Sequence, residues 1–315
     1  MRLDLLAALS GVLISLQARA NGELSHLLNN SIEAALVSFG SGLIIIAVIS
    51  LFHPGIKRGI RNLRSAVALK KIPRWRLFAG MLGGSFVALQ THIVPLVGVA
   101  IYSVAAIAGQ TAVSLGVDRI GLTGGGVKHI SLRRVLAAVV TVSAVFLSVL
   151  DRLDAQNFAT WAVIFAVGAG ALVGVQRALN GQINEFTEQS ATTSYLNFIM
   201  GTSFLLALLI FGIVVNGDEL APLPHGPWWI YTGGVIGVIY IAFTSTIVQH
   251  LGVLTFTMFS VGGNLLGSLL IDIFSPSEAV HISWYLVGGI VMTYVGVLIN
   301  GASLQSKKPH RSPNN

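Results

Sequence analysis

Residues 10–28 read SGVLISLQARANGELSHLL, and residues 170–186 read GALVGVQRALNGQINEF. The two stretches align without a gap, and identities continue beyond them. The identical residues are Gly11, Leu13, Gln17, Asn21, Gly22, Ser31, Phe39 and Gly42 in the first copy and Gly170, Leu172, Gln176, Asn180, Gly181, Ser190, Phe198 and Gly201 in the second. Chance rarely aligns so many positions at one offset, so the pattern indicates an internal repeat.

A second repeated block lies later in each copy. It pairs Gly98, Gly109, Gln110, Ser114 and Asp118 with Gly252, Gly263, Asn264, Ser268 and Asp272, again at one offset. We therefore predict a tandem duplication. Residues 1–151 are the first copy, residues 152–303 are the second, and residues 304–315 are expected to form a disordered cytoplasmic tail.

The composition is typical of a membrane protein. Hydrophobic residues make up 54% of the chain and charged residues only 10%, whereas soluble domains average about 25% charged residues. A transmembrane helix needs about 20 apolar residues, so the chain has room for roughly ten spans and no soluble domain. The charge-free runs are residues 5–18, 34–52, 77–117, 135–150, 158–176, 190–215, 228–271 and 282–299.

Two of these runs, 77–117 and 228–271, are too long for one span. At about 1.5 Å per residue each is twice the thickness of the hydrocarbon core, so each predicts a helical hairpin. The expected reversals lie around His92–Pro95 and Gln249–Gly252, where proline, glycine and polar residues interrupt the apolar pattern. The runs lack the period-two alternation of a barrel. We expect an all-α membrane protein with ten transmembrane helices.

Five helices in each copy is an odd number, so the second copy begins on the opposite side of the membrane. The prediction is therefore two inverted five-helix repeats, an arrangement that recurs in transporters. Lysine and arginine are concentrated within residues 57–76, 119–134 and 307–311, so the positive-inside rule puts both termini in the cytoplasm. Residues 56–71 also have basic positions at helical spacing, which fits either an interfacial helix on anionic lipid or a solvated topology signal.

The quoted segments carry a family resemblance, together with IAGQTAVSLGVDRIG at residues 107–121 and VGGNLLGSLLIDIFS at residues 261–275. They resemble the YdcZ-type family of inner-membrane exporters, which belongs to the drug/metabolite transporter superfamily and has EamA-like relatives. The resemblance covers nearly the whole chain, twice over. It implies a ten-helix transporter fold in the inner (cytoplasmic) membrane with a central cavity between the halves, and it implies no particular substrate.

Paired amides in the repeats are the first candidates for a binding or gating site. Polar groups in hydrocarbon are costly, so an amide there is expected to contact a substrate or to join helices. Gln17 and Asn21 lie on one helix face, as do Gln176 and Asn180. Inversion places the first pair toward the outer mouth and the second toward the inner mouth, where they would form alternate gates. The competing interpretation is that each Asn-Gly pair caps a helix end.

Three further residues are candidates for the site. Gln110 and Asn264 lie nearer the middle of their helices, each directly after a glycine that permits close backbone approach. Either a tight helix crossing or a cavity wall is expected there. Tyr102 lies two turns from Gln110 on the same helix. It would offer an aromatic wall to a flat or cationic solute, or simply pack in the core.

The two copies also differ in charge. Arg177 aligns with Ala18, and Gln182 aligns with Glu23. A basic inner mouth that attracts anions and a positive-inside arginine would each explain Arg177. No Asp or Glu falls clearly inside a span, since Asp118 and Asp272 are expected at helix ends, so coupling to protons through a buried carboxylate is not expected.

The sequence contains no pattern for catalysis, metal binding or a cofactor, because the histidines and carboxylates are scattered among loops and there is no cysteine. We expect a secondary transporter, not an enzyme, that exports a small metabolite or drug-like solute by alternating access. A lipid translocase is the alternative, and an intramembrane enzyme or a passive channel fits less well. The expected partners are the solute and the lipid bilayer, not nucleic acid, and a homo-oligomer is compatible with the sequence.

Overall fold

The computed structural model describes residues 3–122, 130–152, 159–240, 253–275 and 282–305, and in these ranges it contains helices and turns but no strand. The α-helices are α1 (Leu3–Leu28), α2 (Ser31–Phe52), α3 (Pro54–Ala68), α4 (Ala79–Val97), α5 (Val99–Arg119), α6 (Leu132–Val149), α7 (Thr160–Thr187), α8 (Ser190–Phe211), α9 (233–240), α10 (Val253–Phe274) and α11 (Trp284–Gln305). Short 3₁₀ turns cover Arg74–Phe78, Leu150–Arg152 and Trp228–Tyr231, and a π-helical turn covers Gly212–Asn216.

Within the described ranges, eight helical spans are long and apolar enough to cross a membrane. The predicted all-α class is confirmed in the described ranges, and these helices have the length and apolar character that the sequence predicted. Some helices extend beyond the charge-free runs. α1 continues to Leu28. Arg19 and Glu23 lie one turn apart on this helix and form an ion pair of 2.9 Å, so their opposite charges compensate each other.

The hairpin predicted within residues 77–117 is present, but the predicted position of its break, His92–Pro95, was wrong by a few residues. Pro95 is accommodated inside the last turn of α4. The helix ends at Gly98, whose φ of +87° is a conformation that glycine adopts without a steric penalty. The backbone freedom of glycine therefore sets this break, and not the proline. The other predicted reversal, around Gln249–Gly252, lies outside the described residues.

α3 is an amphipathic helix that packs against α7 and α8. The Thr192 hydroxyl of α8 donates a hydrogen bond to the Ile56 carbonyl at 3.3 Å, and Leu63 is buried in a cluster with Leu179 of α7. Its apolar face is thus covered by protein. The basic residues on its other face are exposed: Lys57, Arg58, Arg61 and Arg64.

Glycines allow α1 to cross α10 at very short range. Gly11 lies against the Ser260 carbonyl of α10, and Gly263 lies against the Ala8 carbonyl of α1. A Cβ atom at either glycine would overlap backbone atoms of the other helix. Because lipid tails are as apolar as the helices, close van der Waals packing of this kind drives helix association in membranes.

The crossing of α5 and α7 is built in the same way. Gly170 lies against the Ala106 carbonyl of α5, and Gly109 lies against the Val167 carbonyl of α7. In the repeat alignment, Gly170 corresponds to Gly11 and Gly109 to Gly263. The two copies therefore make the same pair of backbone contacts, each with a helix of the other copy.

A buried carboxylate joins the end of α10 to the beginning of α5. Asp272 is only 3% exposed and accepts hydrogen bonds from the backbone N–H groups of Val99 at 3.1 Å and Ala100 at 2.8 Å. These N–H groups have no partner within their own helix, and a carboxylate there is also attracted to the positive end of the helix dipole. Asp272 thus lies at a helix end, as predicted, and the sequence did not reveal that its carboxylate is buried and compensated by the helix it caps.

We expect Gly170→Ala to destabilise the protein by about 1–3 kcal/mol, because the new methyl group would force α5 and α7 apart. Gly168→Ala is a matched control on the same helix, since a Cβ at Gly168 meets no atom within 4 Å. Thermal melting of both variants in detergent checks the prediction. An unchanged melting temperature for Gly170→Ala would show that the crossing is looser than described.

We expect Asp272→Asn to lower stability by about 1.5–3 kcal/mol, because asparagine has one acceptor oxygen for the two N–H groups and lacks the charge. Asp151→Asn removes an exposed carboxylate and serves as the control. Chemical denaturation of the two purified variants measures the difference. Equal losses of stability in the two variants would contradict the capping role.

Candidate functional site

The two repeat glutamines each contact a helix of the other copy. The Gln17 side-chain amide donates to the Gly233 carbonyl at 2.8 Å, where α9 begins, and lies close to Gly237 one turn later. The Gln176 amide donates to the Asn197 side-chain oxygen of α8 at 3.3 Å. It also lies against Gly83 of α4. Both side chains are half-buried. Gln17 joins α1 to α9, and Gln176 joins α7 to α8 and α4, with glycine providing the space in each case.

An aromatic pair lies where α2 crosses α8. The rings of Phe39 and Phe198 have centroids 5.5 Å apart and are tilted by 58°. Each ring contacts the glycine that follows the other phenylalanine by one turn, so Phe39 packs on Gly201 and Phe198 packs on Gly42. The Phe198 ring also lies within 4 Å of the Cβ position of Gly237. The aromatic pair therefore adjoins the Gln17 amide.

The two repeat asparagines lie in contrasting surroundings. Asn21 is fully buried, its amide donates to the Gln90 side-chain oxygen at 3.4 Å, and its own oxygen has no hydrogen-bond partner within the described part of the chain. Asn180 is half-buried, and its side-chain oxygen likewise lacks a partner among the described residues. The alternative that these asparagines cap helix ends is wrong, because α1 and α7 continue well beyond them.

The glycines that follow the asparagines show the same contrast. Gly22 is buried beneath the side chain of Val94 at the end of α4. Gly181 is exposed, and a Cβ there would meet no atom within 4 Å. The end of the α1 face is therefore covered by α4, whereas no described residue covers the equivalent end of the α7 face.

A cleft of about 250 Å³ lies between α5 and α7. Its lining residues are Gln110, Ser114, Val117, Gly174, Arg177, Ala178 and Gly181. The equivalent region between α1 and α10 is closed, since Ser268 is fully buried and the Ser15 hydroxyl fills the space beside Gly267. Asn264, the counterpart of Gln110, is only 9% exposed, and its side-chain oxygen has no partner in the described ranges.

Tyr102 lies in the main hydrophobic core and not on the cleft. It is 2% exposed, and its ring centroid is 6.1 Å from that of Phe86 in α4. Its hydroxyl has no hydrogen-bond partner among the described residues. In this conformation its environment is that of a core residue.

The sequence reasoning missed the glycines that face the glutamines, Gly83 and Gly237. A signal for them was available. Pro73, Trp75, Gly80 and Gly83 match Pro227, Trp229, Gly234 and Gly237 at the offset of the second repeated block. In the structure each segment has a 3₁₀ turn directly after its proline. A helix follows the turn and carries Gly80 and Gly83 in the first copy and Gly234 and Gly237 in the second.

Comparison with known proteins agrees with this architecture. The family model described as "Putative inner membrane exporter, YdcZ" matches residues 3–147 and again residues 161–299. A solved crystal structure of a protein with 13% sequence identity is similar over 98% of each chain, with a TM-score of 0.55, which shows a shared fold alone. The search of curated proteins found no match.

The family model covers most of the chain in two segments that correspond to the two predicted copies. The resemblance inferred from the repeat motifs is thereby confirmed. Together with the apolar helices, it identifies a multi-pass protein of the inner membrane and a transporter family, not an enzyme family. The chain belongs to the YdcZ family of inner-membrane exporters.

Proposed function

We propose that the protein is a secondary transporter that exports a small solute by alternating access between two inverted five-helix halves, residues 1–151 and 152–303. The observation that carries the proposal is the unequal state of two equivalent crossings. The α1–α10 crossing is closed around Asn264, whereas the α5–α7 crossing opens a cleft at Gln110. Exchange of these two conformations between the halves would move the opening from one side of the membrane to the other.

The contacts between the copies support the inverted relationship. In this arrangement α1, α2, α4, α5 and α6 form one half, α7 to α11 form the other, and α3 is an addition to the first. Phe39 packs on Gly201 while Phe198 packs on Gly42, so equivalent residues exchange the same contact. A two-fold relationship between two units produces such reciprocal contacts, and here it would lie in the membrane plane.

Charge supports an inward-open assignment for this conformation. The helix α3 packs against the cleft-bearing helix α7 and carries exposed basic residues on its other face, which the positive-inside rule would place in the cytoplasm. The cleft at Gln110 would then face the cytoplasm. The buried pair of Asn21 and Gln90, together with Val94 over Gly22, would close the outer mouth.

The two glutamines are suited to a central binding site. Gln17 and Gln176 each keep one hydrogen bond to another helix and remain half-buried, so the rest of each amide is available to a solute. The neighbouring rings of Phe39 and Phe198 add apolar surface. Asn21 and Asn180 would act as the outer and inner gates, and the buried Tyr102 would support the outer part of the core.

Two cysteine variants test alternating access, since the protein has no cysteine of its own. Ser114 lines the cleft, whereas its counterpart Ser268 is fully buried. We expect Ser114→Cys to react from the cytoplasmic side with a membrane-impermeant methanethiosulfonate reagent, and Ser268→Cys to react mainly from the outside and much more slowly. Measured labelling rates in sealed inside-out and right-side-out vesicles give the result. Access to both cysteines from one side only would contradict the inversion.

Solute flux tests transport itself. Proteoliposomes are loaded with a panel of small metabolites and dyes, and release is followed under imposed proton or sodium gradients. We expect release of at least one compound, blocked after bulky methanethiosulfonate labelling of Ser114→Cys and unaffected by the same treatment of the parent protein. Movement of fluorescent phospholipid between leaflets without solute release would instead favour the lipid translocase. If solute release and phospholipid movement both equal those of protein-free vesicles for every compound tested, the transporter and the lipid translocase are both refuted.

A further inference from the structure

We infer that the α5–α7 cleft binds the ionised group of an organic anion through Arg177, so that the exported solutes are small anions with an apolar body. This inference rests on the proposed function and names its substrate class. Arg177 is an exposed residue of α7 and lines the cleft together with Gln110. A guanidinium group presents paired N–H donors that match a carboxylate, sulfonate or phosphate.

No carboxylate among the described side chains compensates the charge of Arg177. The described lining of the cleft contains no aspartate or glutamate, and the side chain of Asp118 lies outside the described residues. In the described part of the chain an ion pair joins Arg19 to Glu23, and Arg177 forms no ion pair with a described carboxylate. A single positive charge in a recess with low-dielectric walls attracts anions more strongly than one on an open surface.

In the first copy, the position equivalent to Arg177 and its charged neighbours carry no net charge. Ala18 occupies the place of Arg177 and is buried. One residue later, Arg19 is paired with Glu23 at 2.9 Å and lies over the ring of Trp229 at 5.8 Å. The copies therefore differ in a specific way, because only the α7 copy leaves an arginine facing a cleft with no counter-charge in the described lining.

The remaining lining suits the rest of such a solute. Gln110 offers an amide that is half-buried, and Val117, Gly174 and Ala178 provide apolar surface. The cleft volume of about 250 Å³ accommodates one aromatic ring with an ionised substituent. Ser114 donates its hydroxyl to the Thr111 carbonyl at 2.7 Å, so it can contribute only as an acceptor and would face a neutral part of the solute.

The need for a topology signal does not account for Arg177. Residues 57–76 already carry eight lysines and arginines on the same side of the membrane: Lys57, Arg58, Arg61, Arg64, Lys70, Lys71, Arg74 and Arg76. Such loop charges close to a span are sufficient to orient it. An additional arginine that points into a recess between two spans serves ligand binding better than orientation.

Benzenesulfonate and benzenesulfonamide form a probe pair that differs mainly in charge. We expect the purified full-length protein to bind radiolabelled benzenesulfonate in equilibrium dialysis and to bind benzenesulfonamide at least tenfold more weakly. Arg177→Gln should weaken benzenesulfonate binding about tenfold, the effect of losing one charge-assisted contact. Arg177→Lys should retain part of it. Arg133→Gln removes an exposed basic residue at the start of α6, outside the cleft lining, and should leave binding unchanged.

Each outcome bears on the inference. Equal binding of the two probes, no binding of either, or equal binding by the parent protein and a folded Arg177→Gln variant would overturn it. The probe comparison on the parent protein needs no variant, so misfolding of Arg177→Gln leaves the test intact. Arg177-dependent binding without flux in proteoliposomes would preserve the anion site and refute transport. Equal flux of charged and neutral solutes, unaffected by Arg177→Gln, would preserve transport and refute the anion site.

Discussion

The structure depends on the close approach of helices at glycine. Gly11 and Gly263 bring α1 onto α10, and Gly109 and Gly170 bring α5 onto α7, each through contact with a backbone carbonyl. A larger side chain at any of these positions would separate the helices. Because both crossings join one copy to the other, they hold the halves together and also determine where a cleft can open between them.

Because the two crossings are built alike, a difference between the halves must come from the residues around the crossings. Their glycine contacts are the same, yet the space beyond them is filled around Ser268 and empty around Ser114. Side chains near the ends of the helices accompany this difference, since Val94 covers Gly22 and no atom of the described residues covers Gly181. Under the proposed alternating-access mechanism, two equal crossings with unequal ends would allow one half to rock against the other.

Some polar residues use their hydrogen bonds to join helices, and others keep groups that are available to a solute. Asp272 is committed to the beginning of α5, where it accepts two backbone hydrogen bonds. Gln17 and Gln176 are partly committed, and Arg177 has no carboxylate partner among the described residues. In a membrane interior an uncompensated polar group is costly, so the uncommitted groups are the ones with which a solute would interact.

The sequence by itself determined the membrane character, the duplication and the family, because apolar length and repeated spacing are local properties of the chain. It also predicted that Gly109 and Gly263 allow close approach. Only the tertiary structure decided which amides are buried, that Asp272 caps α5, and that Gln110 faces a cleft while Asn264 is enclosed. Two aligned residues have the same local surroundings in sequence, but their burial depends on helices distant in the chain, which can pack differently around each copy.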